Sequence, residues 1–219
     1  MKLNPILVRA GAFVGVVLIV AFFTGCASTP ADRAVSMANS VVQTGKQLET
    51  SKTAVTQVLT SLNQLVSQPS GDMRGQYKDY LAAVKDLGKT SAKVDQTISS
   101  MLAGSQIYFA DWGNQIAAIS DPTLKQLSLD RKNQAVANLA ELKGGMEKAR
   151  AAYKPLAKDL DDIGLYLGNN LTADGIAAMK PRLDSIKIEA VGVRDALAGV
   201  VQSLNKFSST LATPAPAKK

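Results

Sequence analysis

From Ile176 to Leu211 an apolar side chain returns every three or four residues without a gap. The series is Ile176, Met179, Leu183, Ile186, Ala190, Val193, Leu197, Val200, Leu204, Phe207 and Leu211. Residues three and four apart share one face of an α-helix, so this is a single apolar stripe. Such a helix must bury its stripe against other helices, because most helical stability in proteins comes from packing of that face. A repeat near 3.5 residues further implies left-handed supercoiling with knobs in holes.

The same spacing runs through the rest of the chain. Met37, Val41, Leu48, Val55, Val58, Leu62 and Leu65 predict a helix from about Asp32 to Ser67, its stripe interrupted at Thr44, Gly45 and Ser51. Gln68-Pro69-Ser70-Gly71 breaks it. A second helix is expected from Asp72, as N-cap, to about Ser120, with Tyr77, Val84, Leu87, Val94, Ile98, Met101, Tyr108, Trp112 and Ile119 inward. Asp121-Pro122 pairs an N-cap with a proline at the first helical position, where no donor is needed. The third stripe is Leu139, Leu142, Met146, Ala149, Tyr153, Leu156, Leu160, Ile163 and Leu167, and it keeps its phase across Pro155, which predicts a kink rather than a break. Gly168-Asn169-Asn170 ends this helix, and Thr172 caps a fourth that runs on to Leu211. No strand pattern competes. The expected fold is all-α, an elongated antiparallel four-helix bundle of coiled-coil type.

Upstream of the helices, Lys2 and Arg9 precede an apolar stretch from Ala10 to Phe23, followed by Thr24, Gly25 and Cys26. A basic start, a short apolar core and small residues before a cleavage point describe a secretory signal peptide. As a helix the stretch extends about 21 Å at about 1.5 Å per residue, short of the roughly 30 Å of a hydrocarbon core. Phe23-Thr24-Gly25-Cys26 resembles the lipobox of bacterial lipoproteins. The resemblance implies cleavage between Gly25 and Cys26 and lipid on Cys26, and two or more acyl chains make such attachment stable. Ala27-Ser28 after the cysteine, with no aspartate, is similar to the pattern of lipoproteins exported to the inner leaflet of the outer membrane in Gram-negative bacteria, with the body facing the periplasm. The division expected is a signal peptide over 1–25, a helical domain over 26–212 and an extended tail over 213–219, where Lys218 and Lys219 form a solvated basic end.

Composition then removes function classes. The chain has no histidine, which takes away the commonest metal ligand and acid–base group, and with it a ferritin-like di-iron centre. With Lys2 and Arg9 gone, the formal charge of +7 falls to +5, spread thinly and without interleaved aromatics, which argues against a nucleic-acid surface. Cys26 is the single cysteine, so a disulfide within the chain is not available. Asp159, Asp161 and Asp162 point around a helix rather than into one loop, and Lys158 stands four residues before Asp162 as an ion-pair partner. Gly144-Gly145 falls mid-helix and suggests close packing. No nucleophile–base pair is assembled, and neither a catalytic residue, a metal nor a cofactor is expected.

The densest aromatic group is Tyr108, Phe109 and Trp112. Tyr108 and Trp112 share a face and are expected in the core. Phe109, about 100° away, is expected to face outward and to contact a partner.

Several stretches carry a family resemblance: Tyr108-Phe109-Ala110-Asp111-Trp112, Leu124 to Ser128, Tyr153-Lys154-Pro155-Leu156, Asp162 to Leu167, and Asn170-Leu171-Thr172. Over residues 72 to 212 the chain resembles an uncharacterised family of bacterial helical periplasmic lipoproteins, a domain of unknown function. The resemblance implies fold and compartment and brings no catalytic residues. The expectation is a non-enzymatic, lipid-anchored structural or adaptor protein of the envelope, its partners the membrane and an envelope protein. The alternative is a binding module holding a small amphiphile or ion within the bundle. A closed core distinguishes the first, and an apolar pocket with a few polar groups the second. Such a pocket would begin at Thr44, Ser51, Ser91 or Ser105.

Overall fold

The computed structural model describes residues 30–211. The expected signal segment, Gly25, Cys26 and the tail over 213–219 lie outside the described residues. Five helices follow in order: α1 Pro30–Ser67, α2 Arg74–Ala117, α3 Pro122–Asn169, α4 Ala173–Ala178 and α5 Lys180–Leu211. The four long ones run up, down, up and down, with lengths of about 50 to 70 Å at about 1.5 Å per residue. α1 packs chiefly on α2 and α3 chiefly on α5, while α1–α5 and α2–α3 contacts close the ring less extensively. The bundle is thus two close hairpins laid together.

Local chemistry explains the boundaries. The Asp121 carboxylate accepts from the backbone N–H of Thr123 at 2.8 Å and of Leu124 at 2.9 Å, with Pro122 at the first position. The start of α2 differs from expectation. Its cap is Met73, without a side-chain bond, and Asp72 instead accepts from the Arg74 N–H at 3.1 Å. α3 continues unbroken through Pro155. The expected fourth helix is in fact divided, because Pro181 has no N–H for the Ala177 carbonyl and its ring crowds that turn. Thr172 does cap α4, its Oγ1 accepting from the Gly175 N–H at 3.1 Å. A Cβ at Gly175 would stand 2.0 Å from the Asn170 carbonyl oxygen, so only glycine allows this turn to fold back so closely.

The core follows the predicted stripes of α1 and α5 throughout. Val41, Leu48, Val55 and Leu62 of α1 are buried, as is every residue of the α5 series from Leu183 to Leu211. In α2 the stripe is rotated from expectation: the buried residues are Tyr80, Leu87, Val94, Ile98, Met101, Ser105, Phe109 and Ile116. Phe109 is therefore a core residue, not an exposed contact. It lies eleven residues after Ile98, which at 3.6 residues per turn is only about 20° around the helix. Its ring meets Phe207 edge-on at 6.3 Å, and Tyr108 and Trp112 flank it half-buried. Polar Ser105, bonded to the Met101 carbonyl at 2.8 Å, conceals this stripe in the sequence.

Small residues let the hairpins close. In α3 and α5, Ala135, Ala149 and Ala190 are buried, and a Cβ at Gly145 would meet Val200 Cγ2 at 3.6 Å. Between α1 and α2, Thr44 Oγ1 donates to the Ser40 carbonyl at 2.8 Å and Ser105 to that of Met101, the arrangement by which a hydroxyl is satisfied within its own helix. Ion pairs link neighbours at Arg33–Asp111, Arg150–Asp95, Arg182–Asp159 and Lys206–Glu141. Being partly exposed, each contributes roughly 0–1 kcal/mol and marks register more than stability. The leucines carry the load: Leu204→Ala, removing a side chain packed towards Gly45 of α1, is expected to cost about 2–5 kcal/mol in a denaturant melt.

Candidate functional site

Half way along the bundle lies a cavity of about 280 Å³ bounded by all four long helices. Its floor is the buried set Ser51 of α1, Val94 of α2, Met146 and Ala149 of α3, and Val193 and Leu197 of α5. Ser91 and Asp95 of α2 and Arg150 and Tyr153 of α3 stand at the solvent side. Asp95 and Arg150, each about half exposed, form an ion pair of 2.7 Å that joins α2 to α3 across the rim. Two of the four serine and threonine positions where the sequence would start a pocket, Ser51 and Ser91, do line it. Thr44 and Ser105 do not, since their hydroxyls are used in the α1–α2 seam beside Met101 and Met37.

The cavity's chemistry is that of an apolar slot with a polar edge. The Tyr153 phenol and the Ser91 hydroxyl both face the cavity mouth. Burial pushes the phenol's pKa above its usual value and the charges of Asp161 and Asp95 push it further, against the opposing influence of the Ser91 hydroxyl. At neutral pH this phenol stays protonated and offers a hydrogen bond rather than a base. Arg150 supplies a permanent cation beside it.

Tyrosines and glycines explain why the slot opens between α2 and α3. Near the far end, Tyr80 donates to the Leu160 carbonyl and Tyr77 to that of Gly164 at 2.9 Å. Burial pushes the Tyr80 phenol far above its ordinary pKa, so it remains a donor. These rings reach the α3 backbone, and Gly164 leaves room beside them: a Cβ there would meet Leu81 Cδ2 at 3.1 Å and Tyr80 Cε1 at 3.9 Å. At the other end, Trp112 donates to Ser128 Oγ at 3.2 Å and Arg131 lies 5.7 Å over its ring. Large rings thus bridge α2 and α3 at both ends, and Ser91 and Asp95 are the polar α2 residues at the cavity mouth between them. Below the two tyrosines a second groove of about 650 Å³ opens to solvent, lined by Tyr77, Leu81, Val84, Leu160, Gly164, Leu165 and others.

A family model described as protein of unknown function (DUF2959) matches residues 29–211. The chain belongs to this family. The match takes in α1 as well as the 72–212 stretch that carries the sequence resemblance. No curated protein and no solved structure matches the chain. The family is defined without an activity, so the site itself has to carry any functional reading. Among the described residues no helix is long and apolar enough to cross a membrane. Lys158 does pair with Asp162, at 2.6 Å, and Asp159 with Arg182 rather than with the other aspartates.

Sequence reasoning missed a second ionisable group, Glu189 of α5. It sits half-buried beside Asp159 and Arg182, with its Oε2 enclosed and lacking a hydrogen-bond partner. Desolvation, then the charge of Asp159, raises the carboxyl's pKa against the opposing pull of Arg182. A raised carboxylate pKa means that the folded state binds this proton more tightly, so the contribution to stability is present at low pH and is lost as pH rises through the folded value. Glu189→Gln is therefore expected to melt higher than wild type at neutral pH, with the gap closing as pH falls through the carboxylate range. A constant gap at all pH values would assign the effect to packing instead.

Proposed function

We propose that this protein is a lipid-anchored, non-enzymatic component of the bacterial envelope that holds a small amphiphile in its mid-bundle cavity. The carrying observation is the cavity itself: an apolar floor closed by four helices, with the only polar groups, Ser91, Asp95, Arg150 and Tyr153, apart from Ser51, gathered at the mouth. A ligand with an apolar body and a polar end matches that distribution. The absence of histidine and of a paired nucleophile and base in the sequence supports a binding role over a catalytic one. Phe23-Thr24-Gly25-Cys26 supports the signal peptide and the lipid on Cys26, and Ala27-Ser28 supports the inner leaflet of the outer membrane, with the bundle in the periplasm.

An adaptor role towards an envelope protein is the second reading. The groove by Leu81 and Leu165, side chains 39% and 72% exposed, favours it. Phe109, buried under Phe207, no longer serves as the contact for that role.

Two experiments test the leading reading. An environment-sensitive apolar probe, N-phenyl-1-naphthylamine, is expected to bind saturably to the chain beginning at Ala27, and a single-chain fatty acid to displace it. Ala149→Leu fills the floor and is expected to weaken probe binding about tenfold or more at a modest cost in melting temperature, because Ala149 is also one of the small residues that bring α3 and α5 together. Wild type without saturable binding rules out the cavity as a ligand site. For the anchor, Cys26→Ser is expected to accumulate as an unprocessed precursor that incorporates no labelled palmitate.

A further inference from the structure

The two ends of the bundle differ in a way that bears on how it meets a membrane. α1 starts, α2 ends, α3 starts and α5 ends at one and the same end, where Arg33 pairs with Asp111, Phe109 packs on Phe207, and Arg131 Nε donates to the Thr210 carbonyl at 3.3 Å. On this end the first turns of α3 present two large aliphatic side chains to solvent, Leu124 at 59% and Leu127 at 62% exposure. Three residues apart, they are neighbours on one face. Their position is firmly held. Asp121 caps the helix below them, and Ser128 and Arg131 are engaged by Trp112 on the inner side, so the outward face cannot roll inward.

Only three residues separate Cys26 from Pro30, so their four Cα–Cα steps span at most about 14 Å. Neighbouring helices of a bundle stand about 8–10 Å apart, so the start of α3 is within one or two helix widths of the start of α1. Among the other exposed apolar residues, Val35 of α1 and Ile107 of α2 lie towards the same end, whereas Leu165 and Tyr166 sit at the opposite end of the rod, some 50 Å or more away by helix length. Of the two ends, only that bearing Leu124 and Leu127 is brought to the lipid by the anchor.

We propose that Leu124 and Leu127 form a second, shallow contact with the lipid surface that holds Cys26, docking the α2–α3 turn in the interface and setting the tilt of the rod. This rests on the lipid anchor read at Cys26. A single acylated point leaves a rod free to swivel, whereas two separated contacts define an orientation. That orientation fixes which way the cavity mouth between α2 and α3 faces relative to the membrane.

The test uses the full-length protein, purified with its anchor and reconstituted in vesicles of phosphatidylethanolamine and phosphatidylglycerol. Because lipid consumes the single native thiol, Leu127→Cys and, separately, Leu165→Cys each accept one nitroxide label. Both positions are exposed, and circular dichroism confirms that the bundle is intact. The Leu127 label is expected to collide severalfold more with dissolved oxygen than with an aqueous nickel chelate, and the Leu165 label to show the reverse. Adding Leu124→Glu to the Leu127→Cys protein is expected to return its label to water. If the protein carries lipid by mass spectrometry and floats with the vesicles, yet both labels are equally accessible to the chelate, the docking contact is overturned and the anchor stands. If the wild type neither carries lipid nor floats, the anchor reading itself fails, and the docking proposal falls with it.

Discussion

Four long helices share one core only where each keeps its apolar stripe pointed inward for its whole length. Here two hairpins meet that condition closely. Alanine and Gly145 let α3 and α5 approach, and Thr44 and Ser105 let α1 and α2 do the same without leaving a hydroxyl unpaired. Everything else in the structure is a consequence of how those two hairpins are then joined. Tyr77 and Tyr80 at one end, and Trp112 at the other, bridge α2 to α3 through hydrogen bonds to Gly164, Leu160 and Ser128. Between these aromatic groups α2 presents Ser91, Val94 and Asp95 to the cavity. Packed interiors forgo dispersion contacts wherever a void remains, so such a gap lowers stability unless something fills it.

Among the described residues, most of the buried polar groups follow one rule. Thr44 and Ser105 bond to carbonyls of their own helices, Asn138 donates to the Lys206 carbonyl at 3.3 Å, and Tyr80 to that of Leu160. Satisfied in this way, they add little net energy but cost much if disturbed, because a buried unpaired group forfeits its hydration. Glu189 departs from it, with an enclosed oxygen and an acidic neighbour. Its tension is with ionisation rather than with fold, which makes the α3–α5 seam sensitive to pH at that point.

A rod with a ligand slot at mid-height and an anchor at one end separates two tasks. On the reading proposed, the end beside Cys26 handles the lipid, and the four-helix interior handles the ligand. The groove at the far end remains free to meet another protein. None of these tasks asks for ionisable chemistry, in keeping with a chain that contains no histidine.

The helices and most of their inward faces were legible in the sequence, because a 3.5-residue repeat of apolar side chains is a local property with a single structural solution. Val41 to Leu65 and Leu183 to Leu211 needed nothing more. The Asp121 and Thr172 caps were equally local, as was the pairing of Lys158 with Asp162. Phe109 was not legible. A strict heptad counted from Met101 arrives at Tyr108, whereas the inward direction runs through Ile98, the polar Ser105, Phe109 and Ile116, each within about 20° of Ile98 around the helix. The division at Pro181 could have been read locally, from the donor that proline lacks. What only the tertiary structure decided is distance between helices. Whether serines and threonines in a stripe close a seam, as Thr44 and Ser105 do, or line a cavity, as Ser51 and Ser91 do, depends on how far the opposing helix stands. That separation is set by tyrosines and a tryptophan tens of residues away in the chain and brought alongside only by folding.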